Sequence, residues 1–277
     1  MSSIDDLLAG SALPVTEARA LLAHALGVGR AWIIAHGSDC VPRAQARAVE
    51  EILAKRRSGE PLAYLTGERE FRSLSLHVAP GVLIPRPETE LVVEQSLALV
   101  AGCDAPKVLD LGTGSGAIAV AVAHARPDAR VVASDLSTPA LEIARRNALR
   151  HGVAVRFLHG DWFEALRGEQ FDVIASNPPY VAQQDPHLRQ GDLRYEPQAA
   201  LIGGGPDGMD CIRRIGAGAR TQLAAGGWLV LEHGYDQGPA CVRLLVGLGY
   251  TNVSDMQDLC GVSRVCKGRF DAPPHPN

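Results

Sequence analysis

The residues best suited to chemistry are Asn177-Pro178-Pro179-Tyr180, which follow the apolar run Phe171 to Ala175 after one serine. A plain loop needs only a turn. A diproline is stiff and holds the amide before it and the ring after it in fixed positions. The side-chain oxygen of Asn177 and the backbone carbonyl of Pro178 form a pair of acceptors, with no proline N–H to compete for them. Such a pair suits a planar nitrogen with two N–H bonds and a delocalised lone pair, as in a carboxamide or the exocyclic amino group of a base. Accepting both N–H bonds orients that nitrogen and pushes its electron density outward as a proton begins to leave. Tyr180 supplies a ring able to stack on a planar target. Asn177, Pro178 and Tyr180 are therefore the expected catalytic residues, and Asn177, Pro178, Pro179 and Tyr180 the expected substrate site. A purely structural loop is the competing account, and the glycine loop upstream outweighs it.

That loop is Asp110-Leu111-Gly112-Thr113-Gly114-Ser115-Gly116-Ala117, lying between an apolar run and a helical pattern. Glycines let backbone approach a ligand closely, and a helix N-terminus offers free N–H groups. Alone the signal is weak, because Gly112, Gly114 and Ala117 also satisfy the dinucleotide pattern G-x-G-x-x-G/A. Asp135, about 20 residues on, suits a ribose diol in either case. Asp110 separates the two. A carboxylate beside a pyrophosphate would repel it, by several-fold RT at about 5 Å and intermediate dielectric, whereas the sulfonium and ammonium of S-adenosylmethionine would be attracted. Asp110 as a mere cap of the following helix is the alternative. The expected cofactor is S-adenosylmethionine, displaced in line by the nitrogen that Asn177 orients. Its expected site is Asp110, Gly112, Thr113, Gly114, Ser115, Gly116, Asp135 and Asn177.

The elements that must position these groups come in two styles. Residues 1 to 75 read as helical: Ala18, Leu21, Leu22, Ala25 and Leu26 share one helix face, and Ala46, Val49, Ile52 and Leu53 share another in a segment from Pro42 to Arg57. Lys55-Arg56-Arg57 at its end complement the helix dipole, with an anion or RNA contact as the alternative. Glu70 to Val78 reads as an extended hairpin. After Pro80 strand-like and helical runs alternate: strands at 107–111, 130–135, 153–159, 171–176 and 228–232, helices at 117–125, 138–150, 209–225 and 238–248, and two closing runs at 251–255 and 263–268. Alternation predicts an α/β fold with a mostly parallel sheet covered on both faces, and ligands beyond the carboxyl ends of its strands. Val181 to Pro206 lacks periodicity and is long for a loop, which marks it as a functional lid.

Composition narrows the partners. The 277 residues are 46% hydrophobic and 21% charged, with a net charge of −4, ordinary for a soluble globular chain. The first 80 residues balance nine Lys/Arg against nine Asp/Glu, so no basic domain suggests nucleic-acid binding. An enzyme that flips bases should engage many phosphates, which disfavours an adenine in DNA or RNA but leaves it as the second target class beside a glutamine amide. None of the six cysteines forms a CxxC pair, arguing against a metal site. With no signal peptide and no membrane span, the expected location is cytoplasmic, with reduced thiols.

Several ordered motifs resemble the release-factor glutamine N5-methyltransferase family, also called HemK or PrmC. They are Gly59-Glu60-Pro61-Leu62-Ala63-Tyr64-Leu65-Thr66-Gly67, Glu70-Phe71, Leu83-Ile84-Pro85-Arg86-Pro87-Glu88-Thr89-Glu90, Asp110 to Gly116, Asn177 to Tyr180, Tyr195-Glu196-Pro197 and Leu231-Glu232-His233-Gly234. The tail from Asp258 to Val265 matches more loosely. The resemblance implies a small N-terminal helical domain that docks substrate (1–75) and a seven-stranded Rossmann-like class I methyltransferase domain (76–277). It implies S-adenosylmethionine as cofactor. Its substrate would be the glutamine of the Gly-Gly-Gln loop in peptide chain release factors, in translation termination. It further implies that Gly112 to Gly116 hold the methionine part of the cofactor, Asp135 the ribose, Trp162 the adenine side, and Asn177 to Tyr180 the glutamine. Read alone, Trp162 suits the core equally well. A monomer with no stable nucleic-acid or membrane partner is expected. The role of Pro85 to Glu90 stays open beyond Pro87 in a first helical turn with two dipole-favouring glutamates.

Overall fold

The computed structural model describes residues 2–166 and 168–271. Contacts divide them into two units, one built from the residues up to Glu68 together with Arg189–Tyr195, the other from Arg69–Leu188 and the residues from Glu196 on.

Among the described residues the first unit holds five α-helices: α1 (Ile4–Ala9), α2 (Val15–Leu26), α3 (Arg30–Ala35), α4 (Arg43–Arg57) and α5 (Leu62–Thr66). α1 starts with a capping box, in which Ser3 accepts from the Asp6 N–H and Asp6 accepts from the Ser3 N–H. Leu21, Leu22, Ile33, Val49 and Leu53 are buried in one cluster, so the helical periodicity was that of real packing faces. The basic end of α4 is spent internally. Arg56 pairs with Glu17 at 2.7 Å and Asp192 at 3.2 Å, and Arg57 donates to the Ser11 carbonyl. Arg194 and Tyr195 both donate to the Ser58 carbonyl.

The second unit begins with the hairpin β1 (Glu68–Phe71) and β2 (Leu74–His77). The boundary read from the sequence, 75/76, runs through this hairpin, whereas the contacts divide at 68/69. The reason is packing: Phe71, Leu74 and Leu76 are buried in the same cluster as Val92 and Val93 of α6 (Glu90–Leu99). There follow β3 (Lys107–Leu111), α7 (Ala117–Ala125), β4 (Arg130–Asp135), α8 (Thr138–Arg150), β5 (Val155–His159), β6 (Phe171–Ser176), α9 (Asp210–Ala219), β7 (Leu223–Glu232), α10 (Gly238–Gly247), β8 (Thr251–Gln257) and β9 (Ser263–Arg269). The sheet order is β5-β4-β3-β6-β7-β9-β8. The pairs from β5 to β7 are parallel and β9 runs against both its neighbours. This is the expected seven-stranded, mostly parallel class I methyltransferase sheet.

Alternate residues of each strand feed two cores. Val108, Val131, Val173 and Val230 face α6 and α7, while Leu109, Val132, Ile174 and Leu229 face α9 and α10. One expected element differs. The helical run 209–225 ends at Ala219, and Leu223 already pairs with Phe171 in the sheet. Gly226-Gly227, which resemble a helix stop, lie inside β7, where the register against β6 shifts.

Candidate active site

The chain runs outward from β3 through β4 to β5, then returns to place β6 on the other side of β3. The strand order therefore reverses between β3 and β6, and open α/β sheets bind ligands beyond the strand ends at that point. Gly112 follows β3 and Asn177 follows β6. A cavity of about 440 Å³ opens there, lined by Gly112 to Ser115, Ser134, Asp135, Trp162, Asn177 and Pro179.

The glycine loop satisfies its own amides. Gly112 N–H and Thr113 N–H donate to the Ser134 carbonyl at 2.9 and 3.0 Å, and Gly116 N–H to the Thr113 carbonyl at 2.8 Å. Gly114 N–H donates to Asp135 at 2.8 Å. A phosphate-binding loop keeps such donors free for the anion; here these four are already used. The place of an anion at the start of α7 is taken by Asp110, fully buried, which accepts from Thr113 Oγ1 at 2.6 Å and from Ala119 N–H at 3.1 Å. Burial pushes its carboxyl up to about 7 against those two hydrogen bonds. Its second oxygen, Oδ1, has no hydrogen-bond partner. Gly116 needs its glycine: φ is +86°, and a Cβ would lie 3.1 Å from Ala144 Cβ.

Asp135 also accepts from Ser137 N–H at 2.8 Å, and burial raises its carboxyl above the usual range. Trp162 takes a left-handed backbone conformation, φ 49°, uncommon for a bulky residue and found at ligand sites. Its ring lies against the loop, 3.4 Å from where a Gly112 Cβ would stand.

Asn177 is held from behind. Its Nδ2 donates to Thr89 Oγ1 at 3.0 Å, Thr89 donates to Glu232 Oε2 at 2.6 Å, and Tyr180 donates its hydroxyl to Glu232 Oε1 at 3.1 Å. Glu232 is wholly buried, and burial pushes its carboxyl up to about 7 despite both donors. Burial also raises the Tyr180 phenol. The backbone of the diproline stretch is pinned as well. Gln237 Nε2 donates to the carbonyls of Tyr180 and Asp207 at 2.9 and 2.8 Å. Gly208 packs so closely, at φ +72°, that a Cβ there would meet Tyr180 O at 2.3 Å.

The chain is similar to known proteins over both units. Residues 5–67 match the PrmC N-terminal domain model and residues 89–192 the methyltransferase small domain model. The chain is 49% identical to the release factor glutamine methyltransferase of Bordetella pertussis, over 97% of this chain and 99% of that protein. It is 52% identical to that of Xylella fastidiosa (strain Temecula1), over 91% and 92%. The chain belongs to the release factor glutamine methyltransferase family. A crystal structure of a methyltransferase from Pyrococcus furiosus shares the fold, with a TM-score of 0.57 and 19% identity over 80% of this chain and 99% of that one.

In this chain, not every residue expected from the sequence reaches the cavity wall. Gly112, Thr113, Gly114, Ser115, Asp135, Trp162, Asn177 and Pro179 line it. Asp110, Gly116, Pro178 and Tyr180 are not among its lining residues: Asp110 and Pro178 are buried, Gly116 packs on α8, and Tyr180 turns its hydroxyl to Glu232. The wall also includes Pro85, Thr89 and Pro197, so the segment 85–90 has a definite place. Arg86 pairs with the buried Glu196 at 2.6 Å, and Glu196 accepts from Ile84 N–H at 3.1 Å. Thr89 and Glu232, which tie Asn177 to Tyr180, were not singled out from the sequence. Glu232 had a readable signal: a carboxylate closing the apolar run Leu229-Val230-Leu231 must be buried, and a buried carboxylate requires partners.

Proposed function

We propose that this chain transfers a methyl group from S-adenosylmethionine to the side-chain amide nitrogen of the glutamine in the Gly-Gly-Gln loop of peptide chain release factors. The observation that carries this reading is the tether on Asn177. Its Nδ2 is held by Thr89 at 3.0 Å, which leaves the amide oxygen as the acceptor for an incoming N–H. Asn177 Oδ1 and the Pro178 carbonyl take the two N–H bonds of the target amide, and orienting a nucleophile in this way lowers the barrier by removing misaligned encounters. As the N–C bond formed, the C–S bond of the sulfonium would break to leave a neutral thioether, and the nitrogen, turning acidic, would lose one proton to water while the two acceptors hold its N–H bonds.

The cavity fits the cofactor by its chemistry. It presents Asp135 to a diol and an apolar ring at Trp162, and the amides of Gly112, Thr113, Gly114 and Gly116 are already satisfied, which suits a ligand without phosphate at that position. Bound there, S-adenosylmethionine supplies an electrophilic methyl carbon on a sulfonium. Asp110, one layer below the loop with a free oxygen, adds negative potential that favours a cation. Tyr180 and Glu232 hold the acceptor pair in place. Among the described residues no helix is long and apolar enough to cross a membrane, and a release-factor substrate supports a cytoplasmic location.

An adenine amino group in DNA or RNA offers the same two N–H bonds, so the experiment must separate the targets. Isotope-labelled S-adenosylmethionine is incubated with purified release factor, and the products are digested and sequenced by mass spectrometry. The label is expected on the glutamine amide alone. Label on nucleic acid with none on release factor overturns the proposal.

A further inference from the structure

The amide of Asn177 can present either its oxygen or its NH₂ to the cavity, and only the oxygen accepts an N–H. The network behind it decides which. Thr89 has one hydroxyl proton, and Glu232 Oε2 lies 2.6 Å away, a length typical of an O–H donating to a carboxylate. With its proton so committed, Thr89 Oγ1 can only accept from Asn177, and the atom facing it at 3.0 Å must be Nδ2. The other carboxylate oxygen also accepts from an O–H donor, that of Tyr180.

We propose that Glu232, acting through Thr89, is the positioning residue that turns the Asn177 amide so that its oxygen faces the reacting nitrogen. This rests on the glutamine reading above and goes beyond it, because neither Thr89 nor Glu232 needs to touch the transferred methyl. A protonated Glu232 would itself donate. Thr89 would then be free to donate to Asn177, and the amide would lose its imposed direction. The charged groups facing Glu232 bear on that proton: Glu88 from the turn before α6 disfavours the carboxylate and Arg264 of β9 favours it. Arg86 acts on Tyr180 in the same network. The neighbouring His233 is turned to Asp255 of β8 and the Gly234 carbonyl.

The test compares Thr89→Val, Thr89→Ser and Glu232→Gln, with S-adenosylmethionine and release factor as substrates and thermal melts as folding controls. Thr89→Val keeps the shape and loses the hydroxyl. Its kcat should fall about 10–100-fold, with KM within a few-fold. Thr89→Ser keeps the hydroxyl and should retain kcat within a few-fold. A packing role predicts the reverse order. Wild-type kcat should decline as pH falls from 8 to 6, and Glu232→Gln should be low and flat over that range. In the free enzyme, the Asn177 side-chain NH₂ resonance, assigned by its loss in Asn177→Ala, should titrate near pH 7 and stop doing so in Glu232→Gln. Full activity in Thr89→Val, equal impairment of Val and Ser, or an Asn177 resonance that ignores Glu232 overturns the inference. A wild-type enzyme inert toward release factor would instead overturn the glutamine reading, and the resonance would still decide the role of Glu232.

Discussion

A single carboxylate, Asp110, carries two roles that charge alone can separate. Its hydrogen bonds to Thr113 and Ala119 cap α7, and its free Oδ1 leaves an uncompensated partial charge under the loop. Asp110→Asn keeps one acceptor and removes the charge. If the charge attracts the sulfonium, this variant should bind S-adenosylmethionine at least several-fold more weakly while binding neutral-sulfur S-adenosylhomocysteine nearly as before. Calorimetry with both ligands checks this. Equal weakening of the two would reduce Asp110 to a helix cap. At this scale the sequence was informative where residue type dictates chemistry: Asn177, Asp135, Gly112 and Gly114 all line the one cavity at the strand ends, whereas Gly116 packs on α8. It was silent on Thr89, because one hydroxyl in a polar block has no signature until the fold brings β7 behind it.

Among the elements, the parallel strands were legible because strands buried on both faces have apolar centres, as Val108-Leu109, Val131-Val132-Ala133 and Val173-Ile174-Ala175 do. The start of β7 was not, because Leu223 to Gly227 holds two glycines and pairs through a register shift, a tertiary feature without local periodicity. The segment 181–206, read as a lid, is neither free nor regular. It contains short 3₁₀ turns at Pro186–Arg189, Gly191–Tyr195 and Gln198–Ala200, and Val181 is bridged to Ile202. Its ends are therefore fixed, and its exposed stretch runs through Arg189 and Gln190. Limited trypsinolysis of the free enzyme should cut first after Arg189 within this segment, with release factor slowing the cut. Cleavage unaffected by release factor would make the segment a passive connection.

For the molecule as a whole, two wholly buried acids tie stability to pH. The folded-state carboxyls of Asp110 and Glu232 lie near 7, against about 4 in the unfolded chain. Between those values the folded protein holds protons that the unfolded one releases, so stability falls as pH rises through the interval and levels off above the folded values. The cofactor-free enzyme should therefore show a higher denaturant midpoint at pH 6 than at pH 8. A midpoint that is flat or rises from pH 6 to 8 would mean that these carboxyls ionise freely in the fold. The same acids make the most stable pH differ from the most active one, because Glu232 orients Asn177 only as a carboxylate.

The central claim is that Asn177 orients a glutamine amide for methyl transfer, and the most direct measurement is the single-turnover rate of Asn177→Ala on release factor with cofactor saturating. The loop and Asp135 stay untouched by this change, so cofactor should bind within a few-fold of normal. By comparison with the loss of one preorganised donor in other enzymes, the rate should drop on the order of 10²–10³. A rate equal to that of the wild type, with the label still on the glutamine amide, would contradict the account.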